Sequence, residues 1–174
     1  MRLFFVCMNK YYHALKEPST LSKLLEKYTT IEYHKHYFNI GGYPVIQVDK
    51  DDILSDPSMY MIHREYPFDA YVMRLDPYIN YTWHIDEWRG VTINQLLKHT
   101  NSHCFFGEQN SKWVMNLVEV PYNPDTFYIF DTQSKHCIIN LENYRYILTL
   151  DFYKKKTELT YNQLYEYCES VDLI

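Results

Sequence analysis

Between residues 59 and 152 the chain is cut into short runs rich in Tyr, Val, Ile, Thr and Phe, each closed by turn residues. The runs lie at about 59–64, 69–75, 80–86, 90–97, 112–120, 126–131, 136–140 and 144–152. Aromatic and β-branched side chains suit a pleated, half-buried surface, so each run reads as a strand. Many short strands at this spacing predict a sandwich or a barrel. About eight of them fit a double-sheet jelly roll, the double-stranded β-helix, which shelters strand edges by folding the sheet over itself. The expected class is therefore mainly β with flanking helices (α+β).

The flanks read differently. Leu3-Phe4-Phe5-Val6-Cys7 predicts a short buried strand. Pro18-Ser19-Thr20 opens a helix whose Leu21, Leu24, Leu25 and Tyr28 fall at i, i+3, i+4 and i+7. Strands follow over Ile31–Phe38 and, past Gly41-Gly42, over Pro44–Val48, and Asp49–Pro57 reads as a polar loop. At the other end Thr160 and Gln163 have capping-box spacing, and Leu164, Tyr167 and Val171 form an apolar stripe. The 174 residues thus divide, within one domain, into a helix-and-strand lead-in over 1–58, a jelly-roll core over 59–152 and a C-terminal helix over 157–174.

Charge narrows the partners. The net charge is −5 and no dense basic stripe is present, which argues against a nucleic-acid binder, whose affinity comes chiefly from phosphate neutralisation. Lys154-Lys155-Lys156 is the one basic run and reads as a solvated strand-to-helix junction. The four cysteines, Cys7, Cys104, Cys137 and Cys168, make no CxxC pair or zinc knuckle. The apolar run Leu3–Met8 is too short to span a membrane and lacks a signal-peptide cleavage pattern. The expectation is a cytoplasmic protein of a reducing compartment, with free thiols and no membrane partner. Its Tyr-, Asn-, Ile- and Lys-rich composition is compatible with an AT-rich, viral genome expressed in a host cell. Oligomeric state has no sequence signature.

The chemistry-bearing residues centre on Tyr81-Thr82-Trp83-His84-Ile85-Asp86. On a strand, residues i and i+2 share a face, so His84 and Asp86 can grip one ion from one side. Alone the pair says little: with eight His and 11 Asp in 174 residues, chance supplies roughly 0.5 His-x-Asp motifs. His63-Arg64-Glu65 and His34-Lys35-His36 are decoys of similar composition. What raises His84 and Asp86 above them is the downstream sequence. His136 begins another strand, and Arg145 opens the last long one, Arg145–Phe152. A second histidine completes a two-His-one-carboxylate face with open positions, the set typical of non-haem Fe(II) oxygenases. Asn140 to Asn143 can turn the chain, which predicts an antiparallel hairpin over 136–152. By strand period Arg145, Ile147 and Thr149 share a face. A buried arginine needs an anion, and its planar fork suits a carboxylate. The far carboxylate of 2-oxoglutarate fits that need, with Thr149 as an added donor. An intramolecular salt bridge is the competing explanation for Arg145.

Together these features resemble the Fe(II)/2-oxoglutarate-dependent dioxygenase superfamily from about Tyr71 to Phe152. The shared pattern is His-x-Asp, a gap of some tens of residues, His, then Arg; here the gap is 50 residues and Arg145 follows His136 by nine. Tyr81-x-x-His84-x-Asp86 and Arg89-x-x-Thr92 resemble the prolyl-hydroxylase side. His136-x-x-x-Asn140 with Arg145 and Leu148 resembles both that side and the aspartyl/asparaginyl β-hydroxylase-like branch. The resemblance implies that His84, Asp86 and His136 bind Fe(II), that Arg145 binds 2-oxoglutarate, and that O2 is consumed with release of succinate and CO2, ascorbate serving as a reductant in assays. It leaves open whether Asn94, Thr92 and Tyr81 touch the co-substrate or serve packing. Arg89 has two readings, a substrate carboxylate or a pair with Asp86 or Glu87. Trp83 and Trp88 are expected to wall the site, and Cys137 to point away from it.

The implied substrate is a small-molecule or peptidyl amino acid, with proline, aspartate and asparagine as candidates and a nucleobase still open. Two rivals share the fold: a cupin-type metal protein that does not use 2-oxoglutarate, and a non-catalytic interaction module.

Overall fold

A computed structural model describes residues 9–30, 38–40, 43–98, 101–109 and 115–174. In chain order the elements are β1 (Tyr12–Ala14), α1 (Ser22–Thr30), β2 (Phe38–Ile40), β3 (Tyr43–Gln47), α2 (Lys50–Leu54), α3 (Pro57–Glu65), β4 (Phe68–Leu75), β5 (Asn80–His84), β6 (Val91–Leu96), β7 (Ser102–Gln109), β8 (Met115–Glu119), β9 (Tyr128–Asp131), β10 (His136–Asn140), β11 (Arg145–Phe152) and α4 (Tyr161–Ser170).

Among the described residues the strands form two antiparallel sheets. The larger has the order β1-β9-β6-β11-β4-β3-β2, and the smaller has β5-β10-β7-β8. β11 lies at the centre of the larger sheet, paired to β4 along its whole length and to β6 over Ile147–Thr149. It is buried at every position except Asp151, and β6 is buried throughout. Strands this continuously buried are covered on both faces. Helices cover the outer face: Leu21, Leu25 and Tyr28 of the α1 segment, Met59 and Ile62 of α3, and Leu164 and Cys168 of α4 pack with Val72, Ile93, Leu148 and Leu150. Between the sheets a second cluster joins Tyr11, Cys104, Phe106, Val120, Tyr128 and Phe130. This is the mainly β, helix-flanked jelly roll that the strand spacing predicts.

Four expectations need correction. Residues 59–64 are helix, not strand. Asp56 accepts hydrogen bonds from the Ser58 and Met59 amides, Pro57 takes the first helical turn, and Met59 and Ile62, three apart, face the core. The polar segment 49–57 is not simply a loop, since it contains α2. β7 falls between the expected runs and carries an alternation of its own, with Cys104 and Phe106 buried and His103 and Phe105 half-buried. Last, β10 and β11 do not pair as a hairpin: they lie in opposite sheets. Asn140 turns the chain between them, its Nδ2 donating to the carbonyls of Leu75 at 3.3 Å, Asp76 at 2.7 Å and Asn143 at 2.9 Å. A side chain spent on three backbone acceptors makes a corner, not a tight turn.

The lead-in is also part of the core, because β1, β2 and β3 join the larger sheet. The expected strand at Leu3–Cys7, most of that at Ile31–Phe38, and His34-Lys35-His36 lie outside the described residues. No described helix is long and apolar enough to cross a membrane. Cys104, Cys137 and Cys168 are free and buried.

Candidate metal and anion site

His84 ends β5 and His136 begins β10, and the two stand opposite each other in the β5–β10 ladder, with a register shift immediately after His136. Asp86 lies in the turn beyond β5, where its amide donates to the Thr132 carbonyl at 2.9 Å. The ligand atoms of His84, Asp86 and His136 all lie within 4.8 Å of one another. Asp86 Oδ1 is 3.5 Å from His84 Nε2 and 3.8 Å from His136 Nε2.

Backbone carbonyls orient both rings. His84 Nδ1 donates to the Thr82 carbonyl at 2.7 Å, and His136 Nδ1 donates to the Ser134 carbonyl at 2.9 Å. With the proton on Nδ1, each Nε2 lone pair is free to point at the common centre. Tyr81 stacks on His84 with centroids 4.0 Å apart, the two imidazoles lie 4.1 Å apart, and Phe106 closes on His136 at 5.6 Å.

Electrostatics favours a cation here. Burial lowers the His136 pKa, so the ring stays neutral and able to ligate. Burial works against ionised Asp86, but the neighbouring His84 ring and the Arg89 charge outweigh it and hold the carboxyl well below the usual range. Two imidazole nitrogens and one carboxylate oxygen, converging from one side, fit a divalent first-row ion such as Fe(II) with positions left open. Among the described residues no other group of three His, Cys, Asp or Glu side chains is close enough to do this.

The cavity beside the triad runs between the sheets, past Tyr81, Arg89, Asn94, Thr149, Tyr122 and Cys104. Thr149 stands in register with Asn94 on one side and Tyr71 on the other. Behind the inner wall lies Arg145. It is wholly buried, and its Nε, Nη1 and Nη2 have no hydrogen-bond partner among the described residues. Its guanidinium carbon sits 5.0 Å from the centre of the Tyr122 ring. The Asn94 Oδ1 is likewise buried and unpartnered. An unpaired buried guanidinium is expensive unless an anion reaches it. The salt bridge considered for Arg145 from the sequence is not formed with any described residue. Nearby, burial pushes the Cys104 thiol up to about 12 and the Tyr122 phenol well above its ordinary value, so both stay protonated.

Several sequence expectations resolve here. The structure brings His84, Asp86 and His136 together and sets Tyr81, Asn94 and Thr149 around one cavity. Arg89 pairs with Asp86. Trp83 and Trp88 do not line the cavity, and Trp88 is 83 % exposed. Cys137 is buried on the opposite side of its strand from His136. Of the decoys, His63 lies in the last turn of α3 against Phe68. Tyr122 and Cys104 were not anticipated: Cys104 follows from the alternation in β7, whereas Tyr122 sits in a segment without secondary structure and has no sequence signal.

No family model matches the sequence, and no curated protein matches it either. Solved structures do match. A prolyl-4-hydroxylase from Pseudomonas putida superposes with a TM-score of 0.58 at 15% identity, covering 81% of this chain and 90% of the other. The viral collagen prolyl hydroxylase of Paramecium Bursaria Chlorella virus-1, in its 2OG complex, gives 0.54 at 13% identity over 83% and 96%. The non-heme alpha ketoglutarate dependent epimerase SnoN from nogalamycin biosynthesis gives 0.58 at 12% identity over 80% and 76%. At these identities the likeness is one of fold, and the fold of this chain is the jelly roll of the prolyl hydroxylases and other 2OG-Fe(II) oxygenases.

Proposed function

We propose that the protein is a non-haem Fe(II)- and 2-oxoglutarate-dependent dioxygenase that hydroxylates an amino acid, free or within a peptide. The observation that carries this reading is Arg145, a fully buried guanidinium whose three nitrogens have no partner among the described residues, beside a cavity that also holds a His-Asp-His cluster. A metal site alone fits many reactions. A metal site with a buried anion receptor fits a co-substrate that is chelated at one end and carries a carboxylate at the other.

In this reading His84, Asp86 and His136 hold Fe(II) through Nε2, Oδ1 and Nε2. Arg145 receives the far carboxylate, and Tyr122 covers one face of the guanidinium so that its in-plane edge remains for the anion. Asn94 and Thr149 supply further polar contacts, and Tyr81 braces His84. Phe106, Phe130 and Ile147 keep water from the cavity walls. The chemistry such a metal and co-substrate supply is oxidative decarboxylation, with one oxygen of O2 passing to the substrate and the other to succinate. An amino-acid substrate is favoured by the prolyl hydroxylases among the proteins of like fold, one solved with a hypoxia inducible factor peptide fragment.

The test is succinate formation from 2-oxoglutarate with Fe(II) and ascorbate, screened over amino acids, peptides and nucleotides. Substrate-stimulated succinate supports the reading. A metal-loaded protein that neither binds 2-oxoglutarate nor releases succinate in the uncoupled reaction rejects it in favour of a cupin-type protein.

A further inference from the structure

The two carboxylate oxygens of Asp86 face different partners. Oδ1 faces both histidines. Oδ2 accepts a hydrogen bond from Arg89 Nε at 2.5 Å. The same guanidinium reaches the cavity wall, Nη1 donating to Thr149 Oγ1 at 2.9 Å and, more weakly, to Thr92 Oγ1 at 3.4 Å. Thr92 is itself tied down, its hydroxyl donating to the Leu150 carbonyl at 2.7 Å and lying 3.2 Å from Thr149 Oγ1. The backbone behind Arg89 is also fixed. Its carbonyl accepts from Thr132 Oγ1 at 2.7 Å and from Gln133 Nε2 at 2.9 Å, and the same Gln133 nitrogen donates to the Asp86 carbonyl at 2.8 Å. Arg89 is thus held at both ends, with Asp86 Oδ2 in its grip.

Resting on the metal site proposed above, we infer that Arg89 is a positioning residue: it keeps Oδ2 away from the metal, so that Asp86 ligates through Oδ1 alone and a coordination position stays available to the co-substrate. A carboxylate beside a divalent cation binds through one oxygen or closes on it with both. Closing with both takes up a position that a chelating 2-oxo acid needs. The charge of Arg89 acts in the same direction, because a fixed cation close to the metal repels it in a partly desolvated site. Arg89 therefore trades metal affinity for co-substrate access.

The inference makes an unusual prediction of sign. Co(II) affinity, followed by d–d absorption, and the 2-oxoglutarate affinity of the Co(II) form are measured for the wild type, Arg89→Met, Arg89→Gln and Arg89→Lys, with thermal melting as the check on folding. Arg89→Met and Arg89→Gln are expected to bind Co(II) about tenfold more tightly, while the Co(II) form binds 2-oxoglutarate about tenfold more weakly. Arg89→Lys keeps the charge and is expected to hold Co(II) affinity within about threefold of the wild type. A residue that merely braces the loop would weaken both affinities in the uncharged variants. Unchanged or weakened Co(II) binding in Arg89→Met and Arg89→Gln overturns the inference. A wild type that binds no Co(II) overturns the metal site itself, which separates the two failures.

Discussion

Replacing Arg145 by methionine should make the unliganded protein more stable and the liganded protein less responsive. Arg145 is fully buried and none of its three nitrogens has a hydrogen-bond partner among the described residues. The cost of holding that charge is several kcal/mol, and the compensation visible in the structure is the contact with the Tyr122 ring at 5.0 Å, worth about 2 kcal/mol when desolvated. Methionine fills a similar shape without the charge, so the net gain is about 1–3 kcal/mol. For a chain of this size that raises the melting temperature by roughly 2–4 °C per kcal/mol. Ligand works the other way. At 2-oxoglutarate about 100-fold above its Kd, with Mn(II) in place of iron, the wild type gains about 2.7 kcal/mol. Arg145→Met should show almost none of this gain. Differential scanning fluorimetry of both proteins, with and without 2-oxoglutarate, reads all four values. A methionine variant that melts several degrees lower without ligand, and that 2-oxoglutarate still stabilises as much as the wild type, would refute the claim that this guanidinium waits for an anion.

Other expectations are simpler to state. His84→Ala and His136→Ala should abolish succinate formation while leaving the fold intact by circular dichroism; full turnover by His136→Ala removes it from the ligand set. A Cβ on Gly90 would lie 2.5 Å from the Leu159 carbonyl oxygen and 2.9 Å from that of Lys156, both backbone atoms. Gly90→Ala should therefore cost about 1–3 kcal/mol in urea unfolding and displace the neighbouring Arg89; an unchanged midpoint would show that the loop yields freely. Asp151 stands directly across from Asp69 in the β4–β11 ladder, and burial, then the neighbouring carboxylates, raise its pKa despite Arg89. A raised carboxyl pKa means that the folded state holds its proton longer than the unfolded one, so stability falls as pH rises from the ordinary carboxylate range through the folded pKa. Asp151→Asn should thus gain a few tenths of a kcal/mol at pH 7 and nothing near pH 3; a gain that persists in acid would exclude charge repulsion as its source.

The sequence was most informative where local chemistry and periodicity agreed. The C-terminal helix is marked by Thr160, whose side chain caps the Gln163 amide while Gln163 reaches back to the Thr160 amide. α1 follows from the spacing of Leu21, Leu25 and Tyr28, whereas Leu24, expected on the same face, is exposed. His84 and Asp86 were legible only together with His136 and Arg145, since the pair alone is close to chance, and the strand that was to put both on one face ends at His84. Misreading came where short apolar runs fit two periods. Met59-Tyr60-Met61-Ile62 looks like a strand until Asp56-Pro57 is read as a helix start. The cross-sheet relation of His136 and Arg145 was not legible either. It depends on Asn140 being used up by the Leu75, Asp76 and Asn143 carbonyls, contacts made 64 and 65 residues away as well as locally. Tyr122 owes its place to tertiary packing, which no spacing announces, whereas the Arg89–Asp86 pair is local and follows from their three-residue spacing.

The corner at Asn140 has a further consequence. The chain runs from His136 along β10 to this corner, crosses to the other sheet and starts back at Arg145. On the proposed reading the metal ligand His136 and the anion receptor Arg145 are therefore a fixed length of strand apart, about 3.3 Å for each residue between His136 and the bend. The proposed site would then carry a ruler whose zero is the metal and whose stop is Asn140. Oxo-diacids one carbon shorter or longer than 2-oxoglutarate should be told apart by where the chain turns, through a residue placed to touch neither the metal nor the carboxylate.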